Sequence, residues 1–113
     1  MQSAEAPDGA RVAASPRPTH QVRIGEAEVD LARRRAMLDG RPVRLTPREW
    51  RLLELLLQHR PRAMPHAELG ERLTADGRPV NTGSVIVHVY NLRKKLGRDA
   101  IETIRGRGVR VRA

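Results

Sequence analysis

Hydrophobic and polar positions change their period twice along this chain. Between Gln21 and Leu45 the apolar residues come in short segments separated by polar ones: Val22 and Ile24, Val29 and Leu31, Met37 and Leu38, Val43 and Leu45. Such alternation indicates strands with one buried face. Asp39-Gly40 lies between two segments and tolerates the positive φ angles of a tight hairpin turn. A small antiparallel sheet is therefore predicted to open the folded part.

At Thr46 the pattern becomes helical. Thr46 can cap the first turn, Pro47 suits a position whose N–H has no partner, and Glu49 completes a capping box. Pro61 predicts an end near His59. The predicted buried face carries Trp50, Leu53, Leu56 and Leu57, whereas Arg48, Arg51 and Glu54 are left to water.

A second, shorter helix is predicted from about Pro65 to Leu73, burying Leu69 and Leu73. The composition of the next segment, Asp76-Gly77-Arg78-Pro79, is typical of a loop.

A third helix is predicted over Thr82 to Leu96, although local propensity favours a strand there because of the residues Val85, Ile86, Val87, Val89 and Tyr90. The spacing of Val85, Val89, Leu92 and Leu96 at four, three and four residues is helical. Asn81 or Thr82 can cap its start and Gly97 can end it. A basic hairpin follows, with Ile101, Thr103 and Ile104 on one strand, a turn at residues 106–108, and Val109 and Val111 on the other.

On a helical wheel, the side opposite the aliphatic stripe of the third helix carries Val87, Asn91 and Lys94, with Tyr90 nearby and Ser84, His88 and Lys95 on one flank. A helix of this kind fits the major groove of B-form DNA. Asn91 could pair with adenine and Val87 could contact a thymine methyl. Phosphates suit Arg93, Lys94 and Lys95 better.

In the C-terminal hairpin, arginines surround two glycines: Arg105, Arg107 and Arg110. A short, positive finger of this kind is predicted to reach the neighbouring minor groove or its phosphates.

Composition narrows the class of protein. A chain of 113 residues has room for one domain of ordinary size. Aromatic residues make up 2%, so the core must be aliphatic, and the absence of cysteine excludes disulfides and cysteine-ligated metal sites. The net charge is +9, and the last 32 residues hold eight basic and two acidic residues. A polyanion is the expected partner.

The first 20 residues hold three of the eight prolines and show no apolar period. They are predicted to be a disordered tail or interdomain linker, with the folded domain at residues 21–113. No apolar run is long enough to span a bilayer and no secretory leader is recognised, which predicts a cytoplasmic protein without a membrane partner.

Neither a metal site nor a catalytic site is expected, and no cofactor is implied. The four histidines, His20, His59, His66 and His88, share no metal-ligand spacing. Glu49 is a capping residue rather than a catalytic acid, and Trp50 belongs to the core. Tyr90 either packs at a groove edge or contacts DNA.

Three motifs, in order and at the right separations, resemble the C-terminal effector domain of OmpR/PhoB-type response regulators. They are Val43-Arg44-Leu45-Thr46-Pro47-Arg48-Glu49 with Leu52-Leu53, the run Val85 to Val89 with Leu92-Arg93-Lys94-Lys95-Leu96, and Ile101 to Gly108. The resemblance covers about Val22 to Arg112. It implies an α+β winged helix-turn-helix, with an N-terminal four-stranded antiparallel sheet, three helices and a C-terminal hairpin wing.

The resemblance also implies sequence-specific binding of double-stranded DNA for transcription regulation, with the third helix in the major groove and the wing at the minor groove. By matching position, Val87 and Asn91 contact bases, and the wing arginine is Arg105, with Arg107 beside it. Phosphate or groove contacts are implied for Ser84, His88, Tyr90 and Arg93. Family members bind direct repeats as head-to-tail dimers, so a free monomer and a dimer on DNA are implied, and the loop at 74–82 matches a segment that touches RNA polymerase.

This sequence departs from the family pattern at three points. Ile86 stands where an acidic residue is common, and Val109 where a tyrosine often follows the second wing glycine. No receiver domain precedes the effector domain in this sequence, which is either an effector domain with its linker or a free-standing relative.

The alternative function, from another class, is that of a winged helix whose basic face binds a protein or RNA partner without recognising a DNA sequence. The lack of aromatic platforms argues against single-stranded nucleic acid.

Overall fold

Four short strands open the fold, as predicted. The computed structural model describes residues 21–75 and 77–113, so the predicted tail at residues 1–20 lies outside the described residues. The strands β1 (Gln21–Ile24), β2 (Ala27–Asp30), β3 (Arg35–Leu38) and β4 (Arg41–Val43) form an antiparallel sheet in that order. Asp39 and Gly40 have φ angles of 53° and 76° in the turn between β3 and β4, which confirms the predicted hairpin.

The buried face of the sheet differs from the predicted one in detail. Leu31 and Leu45 lie just beyond the ends of β2 and β4. Ala36 fills the inner face of β3, whereas Met37 is exposed. Since neighbouring residues of a strand point to opposite faces, the pair Met37-Leu38 could not both be buried by the sheet.

The first helix, α1 (Pro47–His59), begins at the predicted capping box. The Thr46 hydroxyl accepts the Glu49 N–H at 3.1 Å, and the Glu49 carboxylate accepts the Thr46 N–H at 2.9 Å. The buried face is wider than predicted because α1 packs against both the third helix and the last strand. It includes Trp50, Leu52, Leu53, Leu55, Leu56 and Leu57.

The helix α2 (His66–Arg72) is followed by α3 (Thr82–Leu96), and a close backbone approach sets the turn between them. Gly70 O accepts the Val80 N–H at 2.9 Å. A Cβ at position 70 would lie 2.2 Å from Val80 O, so only glycine fits this crossing. The intervening segment is not the plain loop that was predicted, because β5 (Thr74–Ala75) and β6 (Arg78–Pro79) pair there as a minimal antiparallel ladder.

The C-terminal hairpin consists of β7 (Ile101–Ile104) and β8 (Gly108–Val111). The turn-proximal end of β8 is fixed to the segment between α1 and α2, because Met64 and Val109 exchange two backbone hydrogen bonds of 2.7 and 2.9 Å. Gly108 makes this contact possible. Its φ is +123°, and a Cβ there would lie 2.0 Å from Met64 O.

One aliphatic core joins the sheet, the three helices and the hairpin, as the composition predicts. This order of a four-stranded sheet, three helices and a hairpin confirms the predicted winged-helix architecture. Within residues 21–75 and 77–113, none of the helices has the length and apolarity needed to cross a membrane.

Candidate nucleic-acid interface

The candidate interface is built on α3, whose ends are those predicted from the sequence. Asn81 Oδ1 accepts the Ser84 N–H at 2.8 Å, and Gly97 ends the helix with a φ of 99°. The stripe of Val85, Val89, Leu92 and Leu96 is buried. Burial of the stripe outweighs the strand propensity of the β-branched residues, and it leaves the opposite side of α3 facing outward.

Beyond its first turn, α3 exposes four side chains, which form its exposed face: Ile86, Val87, Tyr90 and Lys94. The Lys94 ammonium lies 5.5 Å from the centre of the Tyr90 ring, one helical turn away. This distance permits a cation–π contact, which places a positive charge beside the exposed aromatic ring. Tyr90 is thus turned outward rather than packed into the core.

Half-buried polar side chains border this exposed face. Ser84, His88 and Asn91 lie on one margin, and Arg93 lies on the other. Their predicted contacts with bases and phosphates stay predictions. Asn91 is at the edge of the outward side and not at its centre, so a groove must enclose the helix from this side for its amide to contact a base.

Lys95 has a partner inside the protein. Its ammonium lies 2.7 Å from Glu49 Oε1, and Glu49 is only 2% exposed. The same oxygen accepts the Thr46 N–H, so one buried carboxylate joins the start of α1 to the last turn of α3. Sequence reasoning assigned Lys95 to phosphate and Glu49 to the capping box alone. The two residues are 46 positions apart in sequence, so no local signal indicates this pair.

The wing presents two arginines at its tip. Arg105 and Arg107 are exposed on either side of Gly106, and within the described part of the chain neither takes part in a salt bridge. Arg110 is engaged instead: its Nε donates to Glu102 Oε2 at 2.7 Å. This hydrogen bond and the charges of Arg110 and Arg112 hold the pKa of Glu102 below its ordinary value. Arg110 therefore fastens the two wing strands together.

His88 is expected to make the fold sensitive to mild acid. Burial, and secondarily the nearby charge of Arg48, lower the pKa of His88 from its ordinary value of 6.5. The unfolded chain then binds a proton more readily than the folded chain, so the free energy of unfolding should fall as the pH drops below ~6.5. Urea unfolding at pH 7.5 and 5.5 measures this. His88→Gln should lose less stability over the interval, and an equal loss would show that another group titrates.

No group of three or more His, Cys, Asp or Glu side chains within residues 21–75 and 77–113 could hold a metal ion. The exposed side of α3 and the wing tip present cations and apolar side chains to the outside.

Comparisons with known proteins agree with this geometry. The family model described as "Transcriptional regulatory protein, C terminal" matches residues 40–111. The transcriptional regulatory protein QseB of Escherichia coli O157:H7 is 39% identical over 90 residues, which are 80% of this chain and 41% of that protein. The chain thus spans about two fifths of the length of such curated relatives.

Two solved structures share the fold. The DNA-binding domain of RstA from Klebsiella pneumoniae, in complex with the RstA box, has a TM-score of 0.61 and 30% identity, covering 80% of this chain and 95% of that one. The DNA-binding domain of CpxR from E. coli has a TM-score of 0.62 and 27% identity, covering 86% of this chain and 96% of that one.

Proposed function

The chain belongs to the family of OmpR/PhoB-type C-terminal domains of transcriptional regulatory proteins, and from this premise we propose that it binds a specific sequence of double-stranded DNA to regulate transcription. The observation that carries the proposal is the two-sided construction of α3. One side seals the aliphatic core, and the other turns Val87, Tyr90 and Lys94 outward. The family consists of regulatory domains and is not an enzyme class, and we propose neither catalysis nor a cofactor.

In the proposed complex, α3 lies in the major groove and the wing tip reaches the adjacent minor groove. Val87 and Asn91 contact base edges, and Arg105 and Arg107 supply the positive charge of the wing. Backbone contacts are proposed for Ser84, His88, Tyr90, Arg93 and Lys94. Lys95 is not among them, because its ammonium is held by the buried carboxylate of Glu49.

Further parts of the proposal concern the whole regulator. We propose that the domain is a monomer when free and that two copies bind head to tail on direct repeats. The β5–β6 hairpin, with Arg78 and Pro79 exposed, is the proposed contact for RNA polymerase. The domain is proposed to be the output domain of a two-component response regulator, and the cytoplasm is the proposed site of action because the proposed ligand is DNA.

DNA binding is expected to depend strongly on salt. If one chain neutralises about five phosphates, the logarithm of the affinity should fall by roughly 4 to 5 per tenfold rise in salt. An operator is first selected from random-sequence DNA, and its affinity is then measured by fluorescence anisotropy at several salt concentrations. A scrambled duplex and an RNA duplex of equal length are the controls. Equal affinity for all three would favour the alternative, a basic face that binds a protein or RNA partner without sequence recognition.

Asn91→Ala is expected to lower affinity for the selected operator by ~1–3 kcal/mol, roughly 5- to 150-fold, because an adenine edge would lose a bidentate partner. Affinity for scrambled DNA should change little. Competition binding against both duplexes measures the difference. An equal loss on both duplexes would show that Asn91 contacts the backbone and not a base.

Arg105→Ala serves as the contrasting variant. Because the wing arginine is proposed to act through charge and groove width, its loss should weaken binding to both duplexes and reduce the salt dependence. Since Arg105 is exposed at the hairpin tip, the melting temperature should stay unchanged. Unaltered affinity would remove the wing from the proposed interface.

A further inference from the structure

The outward face of α3 is unusually apolar. Ile86, Val87 and Tyr90 are 51%, 54% and 59% exposed, and Met37, at 37%, is the one other exposed large apolar residue among those the structure describes. Tyr90 follows Ile86 by four residues and Val87 by three, and residues at these spacings are neighbours on a helix surface, so the Tyr90 ring adjoins both aliphatic side chains. The three side chains therefore form one continuous surface, called here the apolar face.

Packing inside the free domain does not explain why the residues of the apolar face are apolar. The aliphatic core is complete without these residues, since the buried stripe of α3 runs along its other side. Valine, isoleucine and tyrosine are also weaker helix formers than alanine, lysine or glutamate. A contiguous exposed apolar surface of this kind marks a contact site.

The charges around the apolar face indicate which partner covers it. Lys94 lies over the Tyr90 ring, and Arg93 stands on the adjacent margin of the helix. A surface that is apolar at its centre and cationic at its border fits a polyanion that itself presents apolar groups. In the major groove of DNA, the apolar group on the base edges is the 5-methyl of thymine, flanked by phosphates.

We propose that Ile86, Val87 and Tyr90 together recognise thymine methyl groups at neighbouring base pairs, so that the operator half-site contains at least two thymines within reach of α3. This inference rests on the proposed function and specifies its DNA sequence class. Ile86 is central to it, because its side chain has no hydrogen-bonding group and its exposure leaves apolar contact as the interaction it can make with a base edge.

The test removes the methyl groups and nothing else. In the selected operator, each thymine is replaced singly by deoxyuridine, which keeps every hydrogen-bonding group of the base pair. At two or more positions the affinity should fall about fourfold, the factor that corresponds to ~0.8 kcal/mol for one buried methyl group. For the Ile86→Ala variant, the operator with thymine and the operator with deoxyuridine at one of these positions should have equal affinity. The Val87→Ala variant should likewise lose the difference at one position. Met37→Ala, which trims an exposed apolar residue of β3, should keep the full discrimination of the unaltered protein.

The possible outcomes separate this inference from the function on which it rests. Failure to select any operator would contradict sequence-specific DNA binding itself. If an operator is selected but deoxyuridine is tolerated at every thymine, the function stands and the inference is overturned. Discrimination that persists undiminished in both Ile86→Ala and Val87→Ala also overturns it, because another part of the protein would then contact the methyl groups. Thermal melting of each variant verifies that the exposed substitutions leave the fold intact.

Discussion

Gly108→Ala is expected to destabilise the domain by ~3 kcal/mol or more and to displace the wing. Residue 108 has a φ of +123°, a region that side-chain-bearing residues rarely adopt, and the new Cβ would lie 2.0 and 2.3 Å from the carbonyl oxygen and carbon of Met64. Both atoms belong to the backbone, so relief requires β8 to move away from Met64. The two hydrogen bonds between Met64 and Val109 would then be lost. For a domain of this size the melting temperature should fall by ~12 °C or more, measured by circular dichroism.

Gly106→Ala is the matched control for this prediction. Gly106 also has a positive φ, of 76°, but nothing lies within 4 Å of a Cβ built there. Its replacement should cost only the backbone strain of about 1–2 kcal/mol. If the two variants melted within a few degrees of each other, the contact with Met64 would not be what fixes the wing. Gly108→Ala should also weaken operator binding more than Gly106→Ala does, because only the former displaces the hairpin.

Features of the fold that depend on near neighbours in sequence could be predicted. The capping boundaries at Thr46 and Asn81 each join a side chain to a backbone N–H three residues away, so the chain itself contains both partners. The helical character of α3 could be predicted despite its β-branched residues, because a buried stripe at helical spacing outweighs local propensity. The hairpin turn at Asp39-Gly40 was equally local.

Features that depend on residues distant in sequence could not be predicted. The glycines of the wing suggested a slender finger. Nothing near Gly108 in the sequence indicates that a Cβ at position 108 would lie 2.0 Å from Met64 O. Likewise, the period of β3 did not show that Ala36, and not Met37, faces the core, since the order and packing of neighbouring strands decide this. Such choices are made by tertiary contacts, which a single sequence does not display.

The sequence predicted which side of α3 faces outward, but it did not predict that the exposed face is largely apolar. The helical wheel placed Val87, Tyr90 and Lys94 outward, and the structure exposes all three. Ile86 was not predicted to belong to the interface, although it is half exposed and completes the apolar face. A wheel gives the direction of each side chain around the helix axis, whereas exposure also depends on which neighbouring elements cover each side. For the same reason Lys95, on the flank of the wheel, turned out to face α1.

Lys95→Met is expected to lower the free energy of unfolding by ~2–3 kcal/mol, because it leaves a buried charge without its partner. Glu49 is 2% exposed, and its Oε1 accepts hydrogen bonds from the Thr46 N–H and the Lys95 ammonium. Methionine keeps most of the volume of the lysine stem but leaves the buried carboxylate without its counter-charge. The expected cost is set below that of a fully buried pair, because Lys95 is itself 34% exposed. Urea unfolding at neutral pH measures it.

A double-variant cycle identifies the pair as the cause. Adding Glu49→Gln to Lys95→Met should restore about half or more of the lost stability, because the amide still accepts the Thr46 N–H and carries no unpaired charge. Glu54→Gln is the control on the same helix: Glu54 pairs with Arg34 and Arg51 at the surface, so its replacement should cost less than ~1 kcal/mol. Strictly additive losses from Glu49→Gln and Lys95→Met would show that the two groups do not interact.

Since this carboxylate ties the start of α1 to the end of α3, Lys95→Met should also lower operator affinity without reducing its salt dependence. A reduced salt dependence would instead return Lys95 to the phosphate contacts.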